Sequence, residues 1–241
     1  MMTFLRLHIL DETPHPIYKP LLGAESLRRL AWSVWYLDAT IDGGNFGFSA
    51  IRDGGLTIQL PSDERPFLLH QSTATEPLIP PLPTVSASLG VGAHLIRSMQ
   101  ARQVLADAHS RIHRRLVPPP LIPDLVLQAE HQAQALLDTL PREMAYNRVQ
   151  YHAYKDQLPM LVHLHTMRNT CSRQMAQLRI LASSFLPGQV DVRKQRESLI
   201  VDSQRLAEVL ADALSYNVAL DPQMAMHAYN SIEREFSRCT S

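Results

Sequence analysis

The sequence predicts an all-α fold, an irregular multi-helix domain with proline-rich connectors and one glycine-rich loop. Three observations predict it. Of the 17 prolines, 13 lie at or before Pro123, and of the nine glycines, eight lie at or before Gly92. The 149 residues from Ala93 onward hold Gly188 as their one glycine and are rich in Ala, Leu, Gln and Arg, all good helix formers. The chain of 241 residues is 45% hydrophobic, enough to bury a core and too much for a mainly disordered chain.

The same composition excludes several functions. Lys plus Arg is 23 and Asp plus Glu is 23, so the chain lacks the basic excess of an autonomous nucleic-acid binder. Two cysteines, Cys171 and Cys239, cannot build a four-cysteine zinc site or a disulfide framework. No apolar run approaches the roughly 20 residues that span a bilayer, so no membrane partner is expected. Arg6 and His8 interrupt the first apolar stretch, which is not expected to be a signal peptide.

Residues 3–10 fit a short helix or a strand, and periodicity does not decide between them. The first long helix is expected from about Ala24 to Asp38 or Thr40, with Leu27, Leu30, Ala31, Val34 and Leu37 on its inward face. Asp42-Gly43-Gly44 ends it, and an irregular glycine-rich stretch follows to about Leu69. Within that stretch Leu56, Ile58 and Leu60 alternate with polar residues, a weak strand signal. Pro77–Pro83 and Pro118–Pro123 read as rigid connectors that forbid helix, and both also have the form of PxxP ligands.

Between these connectors Ser86 to Val117 reads as one long helix ending near Leu116. Its charge is lopsided, with Arg97, Arg102, Arg111, Arg114 and Arg115 against Asp107. Such a face either meets phosphates or is solvated and meets acidic residues elsewhere. Asp124 is placed to cap the next helix, to Leu140, with Leu125, Ala129, Ala133, Leu136, Leu137 and Leu140 inward. Pro159 starts or kinks a helix to Phe185, closed by Pro187-Gly188. Val192–Tyr216 forms another, with Leu199, Leu206, Val209, Leu210, Ala213 and Leu214 inward, and Asp221-Pro222 starts a last one to about Arg238. No internal repeat is present.

Four constellations bear on chemistry. The run Asp42-Gly43-Gly44-Asn45-Phe46-Gly47 has neither dinucleotide nor phosphate-loop spacing and reads as a helix stop. Asp38 and Asp42, at i and i+4, are a candidate magnesium pair for an all-helical enzyme if the helix reaches that far. His109 and His113 share a helix face but have no third ligand in sequence. His163 and His165 point to different faces, and Cys171, two turns beyond His163, reads as a core cysteine rather than a nucleophile. No cofactor fingerprint is present in the sequence.

One stretch carries more. Glu25-Ser-Leu-Arg28-Arg29-Leu-Ala-Trp32-Ser-Val-Trp35-Tyr-Leu37-Asp38 is followed by the glycine segment and then by Ile58-Gln-Leu60-Pro61-Ser-Asp63-Glu64. This resembles the regulatory "middle homology" domain of fungal-specific transcription factors, in which an E-x-x-R-R-x-x-W helix precedes a loop closed by Leu-Pro and acidic residues. The Asp-Gly-Gly-Asn-Phe-Gly-Phe variant looks closest to the branch with Cys2His2-type zinc fingers. The match covers roughly residues 1–70, a motif helix and loop. It leaves 71–85 as the proline-rich connector and 86–241 as helices of a single domain.

The resemblance implies a non-enzymatic regulatory domain in the nucleus that modulates RNA polymerase II transcription. Transcriptional coregulators, self-association and a small-molecule effector are its implied partners. Glu25, Arg28, Arg29, Trp32, Asp38, Pro61 and Asp63 are then structural, with Arg28 and Arg29 pairing with Asp38, Asp63 or Glu64 to pin the loop. No cofactor is expected in this chain; zinc and DNA contact are expected only in a DNA-binding module absent from these residues. The other readings are a magnesium-dependent enzyme using Asp38 and Asp42, and a truncated, non-functional fragment.

Overall fold

The computed structural model describes residues 20–41, 58–71, 73, 75–79, 89–147, 154–185 and 191–216. Among them are six α-helices and no strand: α1 (Pro20–Ile41), α2 (Glu64–Leu68), α3 (Val91–His113), α4 (Ile122–Leu137), α5 (Leu158–Ser183) and α6 (Val192–Ser215). Short 3-10 turns lie at Pro119–Leu121, Arg142–Met144 and Lys155–Gln157. The fold is all-α. Ile58 and Leu60 enter the core without forming a strand, and a lone antiparallel bridge joins Ser62 to Leu89. The expected glycine-rich turn at 42–47, the final helix from Asp221 and the N-terminal segment 3–10 lie outside the described residues.

Helix ends follow local chemistry. Gly90 precedes α3, where an added Cβ would come within 2.9 Å of the Asp63 Cα, so close approach of two backbones demands glycine here. At its other end α3 stops at His113, three residues before the expected Leu116. Arg115 turns left-handed (φ 55°), and the Leu116 N–H donates to the Arg111 carbonyl at 2.9 Å, closing the last turn. The prolines from Pro118 to Pro123 correct the expectation of a connector that forbids helix: they form a 3-10 turn and open α4, with Pro123 in its first turn. The missing proline N–H is no loss at that position. Asp124 therefore sits inside the first turn rather than at the cap. Pro159 starts α5 and does not kink it. Asp191 caps α6, accepting the Lys194 N–H at 3.0 Å.

The core has two parts that share α3 and α5. These helices lie side by side with their N-terminal halves at one end. At that end Leu89, Ile96 and Met99 pack with Leu161, Leu164 and Met167, under Trp32 and Trp35 of α1. At the other end Leu105 and Ile112 pack with Cys171 and Leu178, under Val126, Ala133 and Leu137 of α4. Helix α6 lies along α5 and sends Val209 and Ala213 into the first part. Burying one such large apolar side chain stabilises by about 1.5–3 kcal/mol.

Three expected faces are corrected. On α1, Leu30 and Leu37 are 45% and 57% exposed, while Trp32, Trp35 and Ala39 are buried beside Ala31. The two indoles meet edge to face with centroids 5.5 Å apart, and their larger apolar area sets which side turns inward. The arginines of α3 do not form one basic face. Arg97 is 1% exposed and Arg102 is buried, whereas Arg111, Arg114 and Arg115 are on the surface. Arg97 Nη2 donates to Glu76 Oε2 at 2.7 Å and its Nε to the Leu78 carbonyl at 3.2 Å. This cation fastens residues 76–78 across α3 and is not available to phosphate. On α6, Leu214 is 64% exposed and Asp212 takes an inward place.

Candidate functional site

Two arrangements of polar groups stand out. The first joins α1 to residues 59–64. Glu25, buried in the first half of α1, accepts from Arg28 Nη1 at 2.5 Å and Arg29 Nε at 3.0 Å, the i+3 and i+4 positions on one helical face. Its Oε1 also accepts the Ser62 backbone N–H at 2.9 Å. Arg29 then reaches across: Nη1 bonds Glu64, Nη2 donates to the Ser62 carbonyl at 3.0 Å, and the guanidinium lies over the Phe67 ring at 4.0 Å. One turn on, Trp32 Nε1 donates to the Gln59 carbonyl at 2.7 Å. Pro61 is buried, and Asp63 caps α2 by accepting the Arg65 N–H at 2.9 Å. We call this set of contacts the clasp.

Six of the seven motif residues, Glu25, Arg28, Arg29, Trp32, Pro61 and Asp63, thus lie in or beside the clasp. Asp38 does not. It is 13 residues along α1 from Glu25, about 20 Å at 1.5 Å per residue. Arg28 turns back to Glu25 and Arg29 to Glu64, rather than to Asp38. Asp42, the other half of the proposed magnesium pair, lies outside the described residues.

The second arrangement is a cleft of about 270 Å³ between α5, α6 and residues 140–146. Its walls are two matched helical stripes at i, i+3, i+4 and i+7: His165, Arg168, Asn169 and Ser172 from α5, and Asp202, Arg205, Leu206 and Val209 from α6. The Asn169 side-chain N–H donates to the Asp202 carbonyl at 2.5 Å, and Ser172 Oγ donates to Asp202 Oδ2 at 2.6 Å. Arg168 Nη1 donates to the Leu137 carbonyl at 2.6 Å. Tyr146 lies edge-on to His165, with centroids 5.7 Å apart, and its hydroxyl donates to Asp212 Oδ2 at 2.7 Å. Burial and then the neighbouring Arg168 charge lower the His165 pKa to about 4, so its imidazole is neutral at physiological pH.

Sequence reasoning missed this cleft. Its signal was the polar stripe His165-Arg168-Asn169-Ser172 at i, i+3, i+4 and i+7 on one helix. The pair His163 and His165 do diverge: His163 Nε2 meets the Tyr36 hydroxyl at 2.8 Å, away from the cleft. Cys171 is fully buried, its thiol 3.4 Å from the Ser98 carbonyl, and burial pushes its pKa up to about 12. That thiol is no nucleophile at neutral pH. His109 and His113 stack at 5.4 Å on α3. Among the described residues no group of three or more His, Cys, Asp or Glu is placed to hold a metal ion. No described helix is long and apolar enough to cross a membrane.

No family model, curated protein or solved structure matches the chain.

Proposed function

We propose that the chain is the regulatory domain of a fungal transcription factor. On this reading it is a non-enzymatic module that modulates RNA polymerase II transcription in the nucleus. It acts through coregulator contacts or self-association and answers to a small-molecule effector. DNA contact and zinc belong to a zinc-finger module of the kind the family carries, and not to these residues.

The clasp supports this reading. The resemblance rests on two short runs separated by a glycine-rich segment, and it assigns them a structural role. In the fold, Glu25, Arg29 and Trp32 of the first run bond Gln59, Ser62 and Glu64 of the second.

The test is to fuse the whole chain to a heterologous DNA-binding module and read a reporter gene, alongside binding to purified coregulators. We expect altered reporter transcription that disappears when the clasp is broken by Arg29→Ala with Trp32→Ala. An unaltered reporter together with no coregulator binding overturns the proposal.

A further inference from the structure

The cleft between α5 and α6 holds charges that, among the described residues, form no ion pair. Among the described residues, Arg168 has no carboxylate within ion-pair distance. It is half-buried, its one direct bond runs to a carbonyl, and Asp138 acts on it only from further away. Arg205, one wall across, forms no ion pair among the described residues. Asp202, 7% exposed and part of the same lining, forms no ion pair with either arginine and takes a hydrogen bond from Ser172. Arg168 and Asp202, shielded from water and not paired with each other, are costly to hold, whereas Arg205 on the facing wall is exposed.

The pattern also specifies a partner. Guanidinium groups recognise oxyanions in a two-pronged geometry. A bare oxyanion such as phosphate satisfies the arginines but brings a second negative charge against Asp202. A ligand that is anionic at one end and a hydrogen-bond donor at the other satisfies both. The cleft's 270 Å³ is at the small end of ligand pockets, the size of a metabolite rather than of a peptide.

We propose that this cleft binds a small hydroxy or amino acid, its carboxylate held by Arg168 and Arg205 and its hydroxyl or ammonium group donating to Asp202. The inference names the effector class of the regulatory reading and rests on that reading for its consequence. Binding itself is measured on the purified chain without any transcription readout, so the two fail separately.

The experiment is calorimetric titration of the full 241-residue chain with lactate and with alanine, with inorganic phosphate and the neutral amide of lactate as comparators. We expect saturable one-to-one binding of at least one acid and none of the amide. Arg205→Gln, at an exposed position with no bond to lose, should weaken that binding about tenfold or more, the loss of one charge-assisted hydrogen bond. Asp202→Asn should weaken it while leaving phosphate binding no weaker. Failure of both acids to bind overturns the proposal. So does acid binding that Arg205→Gln leaves unchanged, and so does phosphate binding as tightly as the acids.

Discussion

Arg29 makes more contacts in the clasp than any of its neighbours, and they differ in worth. Its ion pair with Glu64 faces a carboxylate 42% exposed and contributes little. Its bonds to buried Glu25 and to the Ser62 carbonyl contribute more, because losing them strands shielded polar groups. Arg29→Ala should therefore lower stability by about 1–3 kcal/mol. Arg28→Ala, which leaves Glu25 still held by Arg29, should cost less than half of that. Thermal melts of the two variants check the order, and equal losses would contradict it. A second residue-scale prediction concerns acid. Burial lowers both His94 and His165 to about 4 in the folded chain, against an ordinary value of 6.5. Between those values the unfolded chain binds more protons, so stability is fully present above pH 6.5 and declines as pH falls toward 4. The decline should be on the order of a few kcal/mol for the pair. Urea midpoints at about pH 7.5 and about pH 5 measure it, and His165→Asn should shrink the difference.

At the scale of elements, glycine usage separates two roles. Gly90→Ala would push a Cβ to 2.8 Å from Asp63 Oδ2 and 2.9 Å from the Asp63 backbone, where nothing yields cheaply. We expect a loss of about 1–3 kcal/mol, as for other overpacked sites. Gly92→Ala meets only the flexible Met160 thioether at 3.4 Å and sits in the first turn of α3, so it should be neutral or stabilise by up to about 1 kcal/mol. Denaturant midpoints of the pair decide it, and a Gly92→Ala variant as damaged as Gly90→Ala would refute the distinction. The helices were legible in the sequence because proline and glycine punctuate it: α4 to α6 begin within two residues of Asp124, Pro159 and Val192. The inward face of α1 was not, because a leucine stripe and an indole pair compete and periodicity alone carries no area. The clasp was half legible, since Arg29 to Glu64 follows from charge, whereas Trp32 to a carbonyl and Glu25 to a backbone N–H need coordinates. The cleft was illegible as a site because its two stripes lie on different helices, and nothing in either one announces the other.

Across the whole molecule, the two parts of the core are covered by different elements, α1 with residues 58–60 at one end and α4 at the other. The cover at the first end is held by side chains rather than by adjacency in the chain. The Arg29 and Trp32 bonds span 35 and 27 residues of sequence, and Trp32 and Trp35 anchor α1 in the core. A peptide bond cut between α1 and Ile58 would leave all of those contacts in place. The protein is thus divisible: a piece ending after α1 and a piece beginning before Ile58 should reassemble when co-expressed and elute together on size exclusion. Replacing Trp32 with alanine in the shorter piece should release it. Co-elution would make residues 42–57 an insertion point for a fluorescent or enzymatic reporter, whose two halves are brought together by the protein's own clasp.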